Sequence, residues 1–404
     1  MQHIEARVNP RAFFFATTIA LLAFGCGNQS LHAAPFVPTD DAQVLERLAE
    51  RNTPQYKELK VLQASLAQAP NDRSRAVALA TAHVRIARQE GDPRYLGYAQ
   101  SALAPWWSDP NAPTPVLVLR ATIRQSLHDF DSAVADLGLA LQREPRNGQA
   151  LLTRATVLTV QGRYAEARSD CTKLYGVAPE IYLVTCIAAI DSLTGKARPA
   201  FESLARAMTT LPRIDAGGRA WGETLLGEMA HRLRDPAAET HFVAALQADP
   251  RDLYLIGAYS DWLLDQGRPA DVVPLVVKET RVDPLVLRLG LAQQALRRPD
   301  SATTINTLRA QFDASRARGD TVHRREEARF QLHLNRDPRA ALALARDNWR
   351  VQREPADLRI LAEAAAATGD AEALDTARRW LAETGLEYPA VAALVNTGAA
   401  GGAK

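Results

Sequence analysis

Apolar residues along this chain recur at steps of three and four, the spacing that places side chains on one face of an α-helix. Between Gly148 and Pro179 the pattern occurs twice. Leu151, Ala155 and Leu158 form one stripe; beyond the polar break Gln161-Gly162-Arg163, Tyr164, Ala167, Cys171 and Leu174 form a second. Each stripe predicts one helix. Gly162 sits in the turn, where a positive φ suits glycine, and Pro179 stops the run because proline lacks the ladder N–H. The next stretch repeats the scheme with Val184, Ala188, Gly195, Ala200, Leu204, Ala207 and Pro212. In Gly91-Asp92-Pro93, Arg234-Asp235-Pro236 and Arg336-Asp337-Pro338 an Asp precedes a Pro and a helical run. The Asp can accept from the unpaired N–H groups of the first turn, and Pro fits the first helical position. Gly369-Asp370 repeats the device with Ala371 in place of the proline.

These helix pairs recur along the chain. Arg-Ala-Thr occurs at positions 120–122 and again 34 residues later; Phe130 and Tyr164 are also 34 apart, as are Ala133 and Ala167. Prolines close successive units at Pro145, Pro179, Pro212, Pro250 and Pro284, and again at Pro355 and Pro389. A period of this size marks stacked helical hairpins, each too small to bury its apolar face without its neighbours. Small residues at the helix crossing, an aromatic after the turn and a closing proline resemble the tetratricopeptide repeat family. The resemblance implies an all-α solenoid, an extended curved superhelix of about nine or ten hairpins with a concave inner wall. It is strongest over 113–212. The predicted organisation is a signal peptide at 1–26, a linker at 27–40, degenerate hairpins at 41–112, a regular array at 113–284, degenerate hairpins at 285–389 and a flexible tail at 390–404. Arg124 departs from the pattern, standing where an apolar residue is usual.

Composition narrows the class of partner. Apolar residues make up 47% of the chain, enough for a large core, and the formal net charge is only +2 with no dominant Lys/Arg block. Neutralising phosphates needs clustered positive charge, so nucleic acid is not an expected partner. At the N-terminus Arg7 and Arg11 precede an apolar run, Ala12–Gly25, which suits a signal-peptide core and is short for a bilayer span. Leu-Leu-Ala-Phe-Gly-Cys then resembles a bacterial lipobox and makes Cys26 the lipidation candidate, with the lipid as the sole membrane contact. Gly27 in place of Asp favours the outer membrane. The alternative is cleavage near Ala33 or Ala34, giving a soluble periplasmic protein. Export permits a disulfide between Cys171 and Cys186, the alternative being two small buried thiols.

In the family resembled, the first helix of each unit lines the inner wall. That register places Gln125, Gln149, Thr156, Tyr182, Ser192, Tyr254 and Asp261 in a partner-binding groove. The wall reads as neutral, small or aromatic, and lacks the Lys/Asn/Arg set that clamps a C-terminal carboxylate. It suits an extended peptide or a partner helix of another envelope protein. Trp106 and Trp107, adjacent in a Pro-flanked stretch, offer one further aromatic contact. Catalytic signatures are missing. Leu193-Thr194-Gly195-Lys196 has Ile190 where a phosphate loop needs its first Gly, and His128-Asp129-Phe130-Asp131 reads as a polar turn. His231 and His241 are ten residues apart, as are His323 and His333, off the helical i, i+4 spacing. The run Arg324–Arg329, containing Glu326 and Glu327, reads as a solvated helix face. No cofactor or metal is expected. The sequence predicts a non-catalytic scaffold or adaptor in the cell envelope; the alternatives are an α-superhelical cell-wall-acting enzyme and a small-ligand-binding periplasmic protein.

Overall fold

The computed structural model describes residues 53–400 together with Asp40, with side chains as far as Asn396. Cys26, the signal peptide and nearly all of the 27–40 linker lie outside the described residues. The helices fall within one unit of the chain, Asn52–Lys404. α1 (Pro54–Gln68) leads into hairpin α2 (Arg73–Glu90) and α3 (Arg94–Ala102), followed by the short α4 (Ala104–Trp107). The regular hairpins are α5 (Thr114–Ser126) with α6 (Phe130–Arg143), α7 (Gly148–Val160) with α8 (Tyr164–Thr172), and α9 (Glu180–Asp191) with α10 (Ala197–Thr210). They continue as α11 (Ala216–Leu233) with α12 (Ala238–Ala248), and α13 (Leu253–Asp265) with α14 (Pro269–Val276). Next come α15 (Asp283–Ala295) with α16 (Ser301–Ala317), and α17 (Arg324–Arg329) with α18 (Pro338–Trp349). The last pair is α19 (Pro355–Thr368) with α20 (Ala371–Thr384), and α21 (Pro389–Ala400) caps the stack. α17 runs on through a π-helical turn, Phe330–Leu334. The fold is an all-α solenoid of stacked helix pairs.

The nine hairpins among the described residues share one turn device. Each has a single left-handed residue between its helices: Gly91, His128, Gly162, Gly195, Arg234, Gly267, Arg297, Arg336 and Gly369. In the eight hairpins from α5/α6 onward the next residue donates its N–H to a carbonyl near the end of the first helix, as in Arg163 to Leu158 (2.8 Å) and Arg298 to Gln293 (2.9 Å). That bond satisfies a carbonyl the helix end would leave unpaired. Helix starts are capped where the sequence placed Asp or Asn: Asn147 accepts from Ala150, Asp337 from Ala340 and Asp370 from Ala373. Asp92 and Asp235 stand two and three residues before their helices, and their carboxylates accept from the N–H groups of Arg94 and Ala237.

Two consecutive hairpins carry an Arg–Asp pair built on a buried aspartate. Arg120 binds Asp136, and Arg154 binds Asp170 one repeat later, each through two hydrogen bonds. Arg124 also reaches Asp136, at 2.8 Å, and lies 5.6 Å from the centre of the Trp107 ring. Its departure from an apolar residue is thereby accounted for.

The superhelix does not stay extended; it comes round on itself. The turn of α7/α8 meets the last hairpin, with the Arg353 N–H donating to the Val160 carbonyl at 2.8 Å and Gly162 facing the Trp380 ring. The turn of α9/α10 meets the start of α21, where Ala197 N–H donates to Glu387 Oε1 at 3.0 Å. Leu193 accordingly shares the apolar core of α18–α21. At the other end the turn of α2/α3 packs on the start of α13 and α15, Gly91 facing Leu253 and Val282. Closure corrects two further expectations. The chain is helical to Ala400, where a flexible tail was expected from 390, because Val391 and Val395 are buried in the C-terminal core. Arg324–Arg329 is no solvated face: Glu326 and Glu327 are buried, 5% and 6% exposed.

Candidate functional site

Closure leaves a hollow of about 670 Å³ inside the superhelix. Five of the seven side chains expected on the inner wall line it: Gln125, Thr156, Ser192, Tyr254 and Asp261. The other two do not. Gln149 donates to the Thr153 hydroxyl, and Tyr182 donates to Asp215 at 3.0 Å while packing against Trp221, which does line the hollow. Trp106 and Trp107 are half-buried in the N-terminal core and lie away from it. Cys171 and Cys186 are joined by a disulfide, Cα–Cα 5.6 Å, which ties α8 to α9 beside the wall.

The opposite wall is the part the sequence reading missed, and it is charged. α17 and its π-turn contribute Arg325, Arg329 and His333, and α19 contributes Arg359 and Glu363; on the nearer wall α11, packed against α9 and α13, adds Glu228, His231 and Arg232 beside Tyr254 and Ser192. The expectation of a neutral groove is therefore corrected. The i, i+4 spacing of Arg325, Arg329 and His333 was a readable signal that they share one helix face. Which way that face points follows from closure, and closure leaves no periodic trace.

Most of these charges are paired. Asp261 accepts from Arg288 at 2.6 Å and Arg329 at 2.9 Å. Burial alone would raise its pKa, but the two arginines outweigh burial and hold the carboxyl well below its usual range. A longer chain spans the wall: His231 to Asp265 (2.8 Å), Asp265 to Arg359 (2.8 Å), Arg359 to Glu363 (2.7 Å) and Glu363 to His333 (3.0 Å). Against the cost of burial, hydrogen bonds from His231 and Arg359 bring Asp265 down to about 2. Arg325 binds Glu354 at 3.0 Å. Burial would raise Glu326, behind it, yet Arg325 and Arg288 bring it down to about 2.

Two groups stand apart. Glu228 accepts the Tyr254 hydroxyl at 2.5 Å, and burial raises its pKa. Tyr254 is raised well above its ordinary value, first by Glu228 and then by burial. Its ring is still 57% exposed, because the surface it exposes faces the hollow. Arg232 bonds Ser192 alone, at 2.9 Å to the hydroxyl and 3.4 Å to the carbonyl, and burial lowers its pKa.

Of the histidines singled out by the sequence, His231 and His333 end the chain that runs through Asp265, Arg359 and Glu363. His241 bonds Glu223 at 2.8 Å, and His128 takes the left-handed turn position and stacks on Phe130 at 5.2 Å. Among the described residues no group of three or more His, Cys, Asp and Glu is arranged to hold a metal. No described helix is long and apolar enough to cross a membrane. Chemically, the hollow offers hydrogen-bonding and aromatic surface, with Asp261 held ionised by Arg288 and Arg329.

No family model and no curated protein matches the chain. Solved structures do resemble it. A tetratricopeptide repeat protein from Parabacteroides merdae is 16% identical over 63% of this chain and 93% of that one, with a TM-score of 0.37. Yeast Tom70 is 10% identical over 86% of each chain, TM-score 0.38. A chain of the APC/C hetero-tetramer Cut9–Hcn1 is 12% identical over 85% of this chain and 93% of that one, TM-score 0.38.

Proposed function

We propose that this chain is a non-catalytic binding protein of the bacterial cell envelope, a scaffold or adaptor that takes a peptide segment of another envelope protein into the hollow of its superhelix. One observation carries the proposal. Gln125, Thr156, Ser192, Tyr254 and Asp261 come from α5, α7, the end of α9 and α13, and converge on a single hollow. Its volume, about 670 Å³, accommodates a few residues of extended chain. Tyr254 and Trp221 supply aromatic faces there, and Gln125 with the hydroxyls of Thr156 and Ser192 supplies hydrogen bonds for a peptide backbone.

Export is supported by the apolar run Ala12–Gly25 behind Arg7 and Arg11, and by the Cys171–Cys186 disulfide, a bond that persists outside the reducing cytosol. Lipidation at Cys26 anchors the chain to the outer membrane in this reading. Fractionation tests that anchor: Cys26→Ala should move the protein from the membrane to the soluble fraction; an unchanged membrane fraction ends the lipoprotein reading, and a wild-type chain that is already soluble favours cleavage near Ala33 or Ala34.

Cross-linking in intact cells, followed by affinity purification and mass spectrometry, tests the binding role. The comparison is wild type against Tyr182→Ala with Tyr254→Ala. A partner lost in a variant with unchanged helical circular dichroism supports capture in the hollow. A partner list that the variant leaves unchanged removes the hollow from the proposal.

A further inference from the structure

Arg232 stands in the wall of the hollow without a carboxylate. It lies in the last turn of α11 and is 8% exposed. Its Nη2 donates to Ser192, its buried Nε meets no acceptor, and Nη1 has no hydrogen-bond partner among the described residues. The other arginines of the wall are all paired: Arg325 with Glu354, Arg329 with Asp261, and Arg359 with Asp265 and Glu363. The nearest opposite charge to Arg232 is Glu228, which forms no ion pair with it, and a buried guanidinium that no carboxylate contacts costs stability that a group supplied from outside would offset.

One helical turn earlier stands Glu228. An i, i+4 Glu–Arg pair is the ordinary arrangement on a helix. Here no ion pair joins the two among the described residues; Glu228 takes the Tyr254 hydroxyl and Arg232 takes Ser192. The hollow thus presents one unsatisfied cation and, about 6 Å along the same helix, one carboxylate whose only hydrogen bond comes from a neutral hydroxyl. Burial disfavours the charge on both, lowering Arg232 and raising Glu228. A ligand carrying both complementary charges would relieve both costs at once. Val160, Leu193 and Trp221, which line the same hollow, supply apolar surface.

We propose that the hollow is a binding site for a small zwitterion, an α-amino acid or a short peptide, whose carboxylate meets Arg232 and whose ammonium meets Glu228. The proposal shares with the function above the premise that the hollow is the binding site, but it needs no protein partner. A volume of about 670 Å³ holds either ligand.

The test is isothermal titration calorimetry of the whole purified chain with L-leucine, L-glutamate, L-lysine and trialanine. Each is compared with its methyl ester, which removes the carboxylate, and its N-acetyl derivative, which removes the ammonium. At least one zwitterion should bind. Esterification and Arg232→Met should each weaken it about 30-fold or more, as loss of one partner of a buried charge pair does. N-acetylation and Glu228→Gln should each weaken it as well. Binding by a free amino acid or by trialanine alone tells which source the site prefers.

The stability of Arg232→Met separates a ligand role from a structural one. Removing a buried charge that no carboxylate contacts, beside a Glu228 that burial already pushes toward its neutral form, should leave the melting temperature equal or higher. A variant that melts lower yet binds as wild type makes Arg232 a packing residue and overturns the proposal. Should the variant fail to fold, the ester comparison on the wild-type chain decides. No heat from any of the four probes, or esters that bind as tightly as the parent molecules, also overturns it. A chain that ignores the zwitterions but still loses its cross-linked partner in the double tyrosine variant keeps the function proposed above. A chain that binds a zwitterion and captures no partner does the reverse.

Discussion

Arg120 binds Asp136 through two hydrogen bonds, Nη2 to Oδ1 at 2.6 Å and Nε to Oδ2 at 2.8 Å, and both side chains are 4% exposed. Arg154 and Asp170 repeat the arrangement 34 residues on. The two pairs differ in what else the arginine does. Arg120 Nη1 also donates to the carbonyls of Trp106, Trp107 and Asp109, which closes the end of α4 against α5. Removing one partner of a buried ion pair costs about 3–5 kcal/mol, because the other charge is left buried and unpaired. Arg120→Ala should fall within that range even though Arg124 still reaches Asp136, since three carbonyls lose their donor as well. Arg154→Ala should cost less: Arg154 is 21% exposed, and Lys173 still stands 3.5 Å from Asp170. Urea midpoints measure both, and equal losses would mean that the carbonyl contacts contribute nothing.

The hairpin turn gives a prediction of opposite sign. Four of the nine left-handed turn residues are not glycine: His128, Arg234, Arg297 and Arg336. A side chain in that region is strained by about 1 kcal/mol or more, and glycine returns part of the gain as extra freedom in the unfolded chain. Arg297 and Arg336 are exposed and make no side-chain hydrogen bond among the described residues, so nothing else is lost with them. Arg297→Gly and Arg336→Gly should each stabilise by about 0.5–1 kcal/mol, read as a raised thermal midpoint. A lowered midpoint for both would mean that these arginines make contacts worth more than the strain.

Those same turns show why part of the fold could be read from the sequence and part could not. Gly91, Gly162 and Gly369 announce a turn because glycine is the usual left-handed residue, whereas an arginine in the same conformation leaves no compositional mark. The Arg-Ala-Thr repeat at Arg120 and Arg154 was visible as a period, yet its purpose lies in Asp136 and Asp170 on the second helix. In the hollow, register along the first helices was enough to place Gln125, Thr156, Ser192, Tyr254 and Asp261 on one side. Arg325, Arg329 and Arg359 face them because distant repeats meet. That meeting depends on single close contacts such as Arg353 with Val160, which carry no periodicity.

Acid should weaken the fold in two stages, the first partly offset by Asp357. Its carboxyl is lifted by burial to about 7, so that group adds stability as pH falls from about 7 toward 4. Burial, reinforced by nearby Arg325, brings His128 down to about 4 from an ordinary value near 6.5, and burial lowers His83 too. Between those values the unfolded chain binds more protons than the folded one, so stability present at neutral pH is lost as pH falls from about 6.5 toward 4. Asp265 and Glu326, each near 2, and Asp261, well below the usual range, then act in the same direction as pH falls from about 4 toward 2. Thermal midpoints recorded from pH 8 to 3 should show both stages. His128→Asn, which keeps a residue tolerant of the left-handed turn, should shrink the first stage alone. A difference between wild type and His128→Asn that stays constant from pH 7 to 5 would contradict the histidine part.

Closure can be separated from turn strain by comparing two glycines. Gly162 and Gly267 hold the same turn position, with φ of 75° and 69°. A Cβ on Gly267 would meet nothing within 4 Å, whereas one on Gly162 would lie 2.5 Å from Trp380 Cη2. Trp380 cannot simply step aside, since it packs edge-on against Trp349 at 5.2 Å and beneath Arg353 at 5.4 Å. Gly267→Ala should therefore show turn strain alone, about 1–2 kcal/mol, with the dimensions of the molecule unchanged. Gly162→Ala should add the cost of displacing Trp380 and weaken the bond between Arg353 and Val160. The last hairpin would then swing away and the hollow would open. Small-angle scattering should give a larger radius of gyration for Gly162→Ala than for Gly267→Ala, and limited proteolysis should cut it faster beyond Trp349. If the two variants match in stability and in size, the superhelix is held shut elsewhere, with the ion pairs of Arg329 and Arg359 to α13 as the remaining clasp.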